Sequence, residues 1–236
     1  MIVVVGDPSL RLAGETVTAE PDGPAAAIAR ACALAGATVQ LAGKVGDDPP
    51  GDEILLGLTR LGIGHVALLR DAGTVTSIGQ TAVAPIADET VAPNDLADAD
   101  AESERREDAP ADRGRPPAPT SVLAPEDLDL ALRYLSTFSV LIVAQPLQPA
   151  TLAVAIDSAA YSGAHLILID ATEAETTATS RVPVDDITAL ESPARDPDGD
   201  FAGLVGRYAA ALDGGAPAAA AFRTALGAAG WESATP

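Results

Sequence analysis

Apolar runs and amphipathic stretches alternate along most of the chain. "IVVVG" at 2–6 is a continuous apolar run ending in glycine, the pattern of a central strand covered on both faces. "GPAAAIARACALAG" at 23–36 then predicts a helix, with Pro24 in its first turn and Gly36 as its stop. "TVQLAGKVG" at 38–46 predicts a second strand. In "GDEILLGLTRLG" at 51–62, Ile54, Leu55, Leu58 and Leu61 share one helical face. Strands are predicted at 65–70 and 76–84, the latter weakened by Gly79.

From 85 to 120 the pattern stops. This stretch has almost no large apolar side chain, and Asp88 to Arg113 hold ten acids and three arginines. Such a segment cannot bury enough surface to offset its chain entropy, so an acidic, disordered insertion is expected at about 85–120. Periodicity returns with a helix at 124–138, a strand at 139–145, a helix at 148–163 and a strand at 164–170. Residues 171–195 are Thr- and Asp-rich and give no clear element. Helices are then read in the back half of "DPDGDFAGLVGRYAAAL" (196–212) and at 216–230. Strand–helix alternation of this kind predicts a doubly wound, mostly parallel α/β sheet flanked by helices, in one domain over 1–236. Ligands of such sheets sit outside the carboxyl ends of the strands.

Composition narrows the picture. The formal net charge is −20, which argues against nucleic acid and anionic membranes as partners. No apolar run approaches a membrane span, and "MIVVVGD" has no basic segment before its strand, so no secretory signal is expected. One cysteine, Cys32, excludes an internal disulfide and fits a cytoplasmic location. Its Ala-rich surroundings make it a small buried apolar residue rather than a nucleophile. His65 and His165 begin strands and read as capping or solvated residues. Trp231 reads as an anchor for the last helix.

The candidate chemistry lies in glycine turns. A glycine turn opening a helix presents free N–H groups and the positive end of the dipole, so "DPDGDFAGLVG" (196–206) is a candidate anion cradle. Asp196, Asp198 and Asp200 also have a local explanation as helix-start residues. "GDD" at 46–48 is a turn and helix entry, with Asp47 or Asp48 as its cap. No metal site is assigned, because His and Cys lack ligand spacing and three neighbouring acids bind Mg²⁺ weakly without phosphate oxygens.

The order of these turns resembles the ribokinase-like (PfkB) carbohydrate kinases. "LAGATVQLAGKVGDDPPG" (34–51), within 23–63, follows that family's Leu-Gly-Ala, strand, Val-Gly-x-Asp-x-x-Gly pattern. "VLIVAQPLQPATLAVAIDSAAYSGAHLILID" (140–170) is similar to its middle strand–helix–strand unit. The stretch 196–206 falls where the family has Asp-Thr-x-Gly-Ala-Gly-Asp-Ala-Phe-x-Gly. The resemblance implies an ATP- and Mg-dependent kinase whose glycine-turn amides hold the transferred phosphoryl group and whose aspartate takes the proton from the acceptor hydroxyl.

Several of those positions are altered here. Asp196 and Gly199 match the cofactor-binding turn, but the second glycine is Phe201 and the base position is Ala202. A methyl group accepts no proton, which leaves Asp200, two residues away, as the only displaced candidate base. At the substrate end, Arg11 stands at the sugar-gripping aspartate, Asp22 at the first glycine of the pair, and Ala27 at the asparagine. Asp7, Gly23 and Asp47 remain as candidate substrate contacts. Residues 12–21 are read as too few for two lid strands, so the lid sheet is expected to be small or absent. The interval 171–195 lacks the family's Asn-x-x-Glu and contains no asparagine.

The expected function is therefore a shortened family member without kinase catalysis, binding a small sugar or nucleoside or a partner, with a homodimer as an expectation. The alternatives are an active sugar or nucleoside kinase using Asp200 with ATP and Mg, and an unrelated doubly wound nucleotide-binding enzyme.

Overall fold

The computed structural model describes residues 1–13, 18–79, 122–135, 137–172, 186–194, 196 and 198–228. The acidic 85–120 stretch, most of 171–195 and Trp231 lie outside them, as does all but the start of the strand expected at 76–84.

The strands of the main sheet are β1 (Ile2–Val5), β4 (Val39–Gly46), β5 (Gly64–Asp71), β7 (Val140–Val143), β8 (His165–Ile169) and β9 (Ile187–Leu190). They run in the order β5-β4-β1-β7-β8-β9, all parallel. β1 and β7 are fully buried, as their unbroken apolar runs require. Helices α1 (Pro24–Leu34), α2 (Pro49–Arg60), α5 (Asp200–Asp213) and α6 (Ala218–Ala228) cover one face. That core gathers Ile2, Val4, Ile28, Leu41, Ile54, Leu58, Ile167, Val205 and Tyr208. Helices α3 (Pro125–Tyr134) and α4 (Pro149–Ser162) cover the other, around Val3, Val5, Leu128, Leu141, Ile156 and Leu166. Cys32 is fully buried in the first core, and burial pushes its thiol up to about 12.

After β1 the chain builds outward through β4 and β5, then returns to β7 on the other side of β1. The carboxyl ends of β1 and β7 thus flank the switch point, where a doubly wound sheet forms its ligand crevice. Asp7 follows β1 directly, and the Gln145 side chain beyond β7 sits against Gly6.

A second sheet rises beside this crevice. β2 (Ser9–Ala13) and β3 (Thr18–Asp22) pair antiparallel, and β6 (Ile78–Gly79) adds to β2. This corrects the expectation that 12–21 is too short for paired strands: pairing begins at Ser9 and ends at Asp22, so five residues a side suffice. The sheet is small but present. Its apolar face, with Leu10 and Pro21, turns toward α2, where a Cβ at Gly57 would lie 2.4 Å from Pro21. Its other face carries an Arg11–Glu20 pair at 3.2 Å.

Asp48 fastens α2 to the chain just before β6. Its carboxylate accepts from the Gly51 amide at 2.9 Å, the Thr76 amide at 2.8 Å and the Thr76 hydroxyl at 2.6 Å. Burial raises its pKa, but these three donors outweigh burial and leave it lowered. Of the two cap candidates in "GDD", Asp48 is the cap.

Candidate functional site

The glycine turn before α5 forms as its local chemistry predicts. Gly199 caps the helix with φ 74°, a left-handed conformation that glycine adopts at no steric cost. The Asp196 carboxylate then folds over the helix start. Its Oδ1 accepts from the Phe201 amide and its Oδ2 from the Ala202 amide, each at 3.2 Å. These are amides that a bound anion would use. They are taken by the chain's own carboxylate.

Phe201 and Ala202 are both buried, at 8% and 7% exposure. Ala202 and Ala27 both line a groove of about 510 Å³ between α1 and α5, together with Arg30, Ala31, Asp198, Gly199, Gly203 and Arg207. Asp200 does not line this groove. It lines a second one of about 550 Å³ beside Glu191, Asp196, Asp198, Phe201 and Phe222. Ala27 and Ala202, the positions that the resemblance aligns with the family's asparagine and base, thus line one groove, and Asp200, the displaced base candidate, lines the other.

That second cleft has an apolar floor from Leu204, Phe222 and Leu226 and four acids at its edge. One wall is the 191–193 loop, braced by Asp170, whose carboxylate accepts from the Ser192 amide and hydroxyl at 2.7 Å each. Asp170 holds a positive φ of 56° to do so.

The substrate candidates divide. Gly23 caps α1 close to Ser9 Oγ and the Asp7 carbonyl, so it shares the mouth of the crevice with the Asp7 loop. Asp7 is half-buried rather than solvated. Its Oδ1 accepts from the Lys44 amide at 2.7 Å, and burial pushes its carboxyl up to about 6 against the pull of Lys44 and the Leu123 amide. Asp47 lies apart, exposed and paired with Arg70 at 2.5 Å, while Asp52 holds the same guanidinium at 2.7 Å.

Several polar residues were not marked by sequence alone. The Lys44 ammonium sits between Asp71 at 3.0 Å and Asp127 at 3.1 Å, and these bonds raise its pKa. Gly73's amide and Lys44 in turn hold Asp71 low. His165, read as solvated, is 8% exposed: its Nε2 and the Tyr208 hydroxyl each lie 2.8 Å from Thr188 Oγ1, with 3.3 Å between them. Desolvation lowers the imidazole pKa and raises that of the phenol. This buried triangle locks β8, β9 and α5 at the amino end of the sheet, away from the crevice. Among the described residues, no group of three or more His, Cys, Asp or Glu is arranged to hold a metal.

The pfkB family carbohydrate kinase model matches residues 3–187, and the chain belongs to that family. The fold agrees. Phosphofructokinase-2 from Escherichia coli in complex with fructose-6-phosphate superposes with a TM-score of 0.60 at 14% identity, covering 97% of this chain and 92% of the other. A putative ribokinase from Agrobacterium tumefaciens gives 0.54 at 17%, covering 97% and 89%. The tetrameric inhibited form of the Escherichia coli phosphofructokinase-2 gives 0.60 at 15%, covering 97% and 92%. No curated protein sequence matches.

Proposed function

We propose that this chain is a PfkB-fold small-molecule-binding protein that does not transfer phosphoryl groups. The observation that carries this reading is the state of the α5 start: Asp196 occupies the Phe201 and Ala202 amides, and the base position beside them is a methyl group. Phosphoryl transfer needs a preorganised anion site and a group that takes one proton. Neither is available in the groove that Ala27 and Ala202 line.

ATP with Mg²⁺ fits the residues poorly. The Phe201 and Ala202 amides are satisfied by Asp196, and the adjoining cleft carries Glu191, Asp196, Asp198 and Asp200, whose charge opposes a triphosphate. What survives is the scaffold for ligand binding: a switch-point crevice, a small flanking sheet and two grooves at the start of α5. No described helix is long and apolar enough to cross a membrane. The Escherichia coli enzyme's tetrameric form makes self-association a reasonable part of this reading, with a homodimer as its simplest form.

Thermal unfolding with and without ATP and Mg²⁺ tests the reading. A ligand at 100 times its Kd stabilises by about 2.7 kcal/mol, roughly 5–10 °C for a chain of this size. The expected result is a shift under about 1 °C at millimolar nucleotide. A shift of several degrees that needs both ATP and Mg²⁺ would count against it.

A further inference from the structure

The α1–α5 groove carries an unusual charge arrangement for so acidic a chain. Acids outnumber lysine and arginine 34 to 14. Among the described residues, Arg11, Lys44, Arg70 and Arg133 each hold a carboxylate. Arg30, Arg60, Arg207 and Arg223 show no such pair, and of these Arg30 and Arg207 share the α1–α5 groove, with Arg30 also reaching the groove it shares with Arg60. The Arg207 Nε is buried without a hydrogen-bond partner. A buried N–H left unpaired costs about 1–3 kcal/mol unless something outside the chain satisfies it.

We infer that this groove binds a small metabolite through an oxyanion, a phosphate or a carboxylate, gripped by Arg30 and Arg207. A guanidinium presents a planar fork of donors that matches either group, and two from facing helices can take one anion from two sides. Small residues make the room. Ala27, Ala31 and Gly203 line the groove, and the Arg207 guanidinium folds back over Gly203, where an added Cβ would lie 3.2 Å from Nη1. The volume of about 510 Å³ lies within the range of small-ligand sites, larger than a bare anion needs. Asp198 is the one carboxylate lining it, which leaves one guanidinium charge in excess. The Phe201 and Ala202 amides contribute nothing, because Asp196 holds them.

The inference rests on the reading of this chain as a ligand-binding rather than phosphoryl-transferring protein, but its test is separate. The full chain is titrated calorimetrically at fixed ionic strength with inorganic phosphate, a hexose 6-phosphate, the free hexose and succinate. Saturable binding of at least one of the three anions is expected, with none for the free hexose. Arg30→Gln and Arg207→Gln should each weaken that binding about tenfold, the loss of one charge-assisted interaction. Arg223→Gln, exposed on α6 and outside this groove, should leave it unchanged. Tighter binding of the ester than of phosphate assigns a phosphorylated metabolite, equal binding assigns free phosphate, and preference for succinate assigns a carboxylate. Arg30 is exposed on α1, so its variant retains the fold and keeps the test valid if the Arg207 variant does not. Absence of binding by all three anions, or binding indifferent to both arginines, would overturn the inference. Phosphoryl transfer with arginine-dependent anion binding would refute the functional reading and leave this one standing.

Discussion

Replacing Gly206 by alanine is expected to destabilise the fold by about 3 kcal/mol, despite the roughly 1 kcal/mol that alanine gains over glycine inside a helix. Gly206 lies in the middle of α5, where that helix presses on α1. A Cβ there would come within 2.6 Å of the Ala31 carbonyl carbon and Cβ, and 2.8 Å of the Cys32 nitrogen. These are mostly backbone atoms of a packed helix, so the conflict is relieved only by moving the helices apart. For 236 residues, about 3 kcal/mol corresponds to a fall of about 6–12 °C in Tm. Gly203→Ala is the control. Its added methyl meets only the end of the flexible Arg207 side chain, so stability should stay level or rise by up to about 1 kcal/mol. Equal effects of the two substitutions would show that the seam is not close-packed as described. Gly203→Ala serves as a control for stability alone, because its methyl displaces Arg207 in the groove.

Asp7→Asn is expected to stabilise the protein at neutral pH. Burial carries the Asp7 carboxyl from its ordinary 3.8 to about 6, which costs folding up to about 3 kcal/mol once the group is ionised in both states. Between about pH 4 and 6 the folded chain holds a proton that the unfolded chain has released. Asp7's contribution therefore falls as pH rises through that window and is level above it. Asparagine keeps an oxygen for the Lys44 amide but gives the Leu123 amide a poorer partner, so the net gain at pH 7 should be about 1–2 kcal/mol. Urea unfolding of both proteins at pH 4 and pH 7 measures it. Asp48 and Asp213, whose carboxyls are held low, add stability above pH 3.8 and lose it as pH falls, but they do so in both proteins. The difference between the two proteins isolates Asp7. A variant less stable than the parent at pH 7 would mean that the ionised form is welcomed at the crevice.

Much of this architecture is legible in the chain because long apolar runs and glycine stops state it locally. β1 and β7 are uninterrupted apolar segments, β8 is one after His165, and α1 and α2 open on proline and end near Gly36 and Gly62. The strands that escape notice have no such signal. β2 and β3 read "SLRLA" and "TAEPD", with charges on the exposed face and a proline on the other, and they form through pairing with each other and with β6 against α2. β9, "ITAL", is four residues at the sheet edge, inside a Thr-rich interval. The site divides in the same way. Asp196 and the Gly199 turn follow from helix-start chemistry, which acts over a few residues. The burial of Asp7, the tie of Lys44 to Asp71 and Asp127, and the shared groove of Arg30 and Arg207 depend on contacts between distant segments. Periodicity carries no trace of them.

The central claim is the loss of phosphoryl transfer, and a direct turnover assay tests it. The parent chain and its Ala202→Asp and Asp200→Asn variants are incubated with ATP, Mg²⁺ and a panel of sugars, sugar phosphates and nucleosides, and product is followed. No acceptor-dependent transfer by the parent is expected, and none regained by Ala202→Asp, because Asp196 still covers the amides of residues 201 and 202. Steady turnover by the parent, abolished in Asp200→Asn, would contradict that claim.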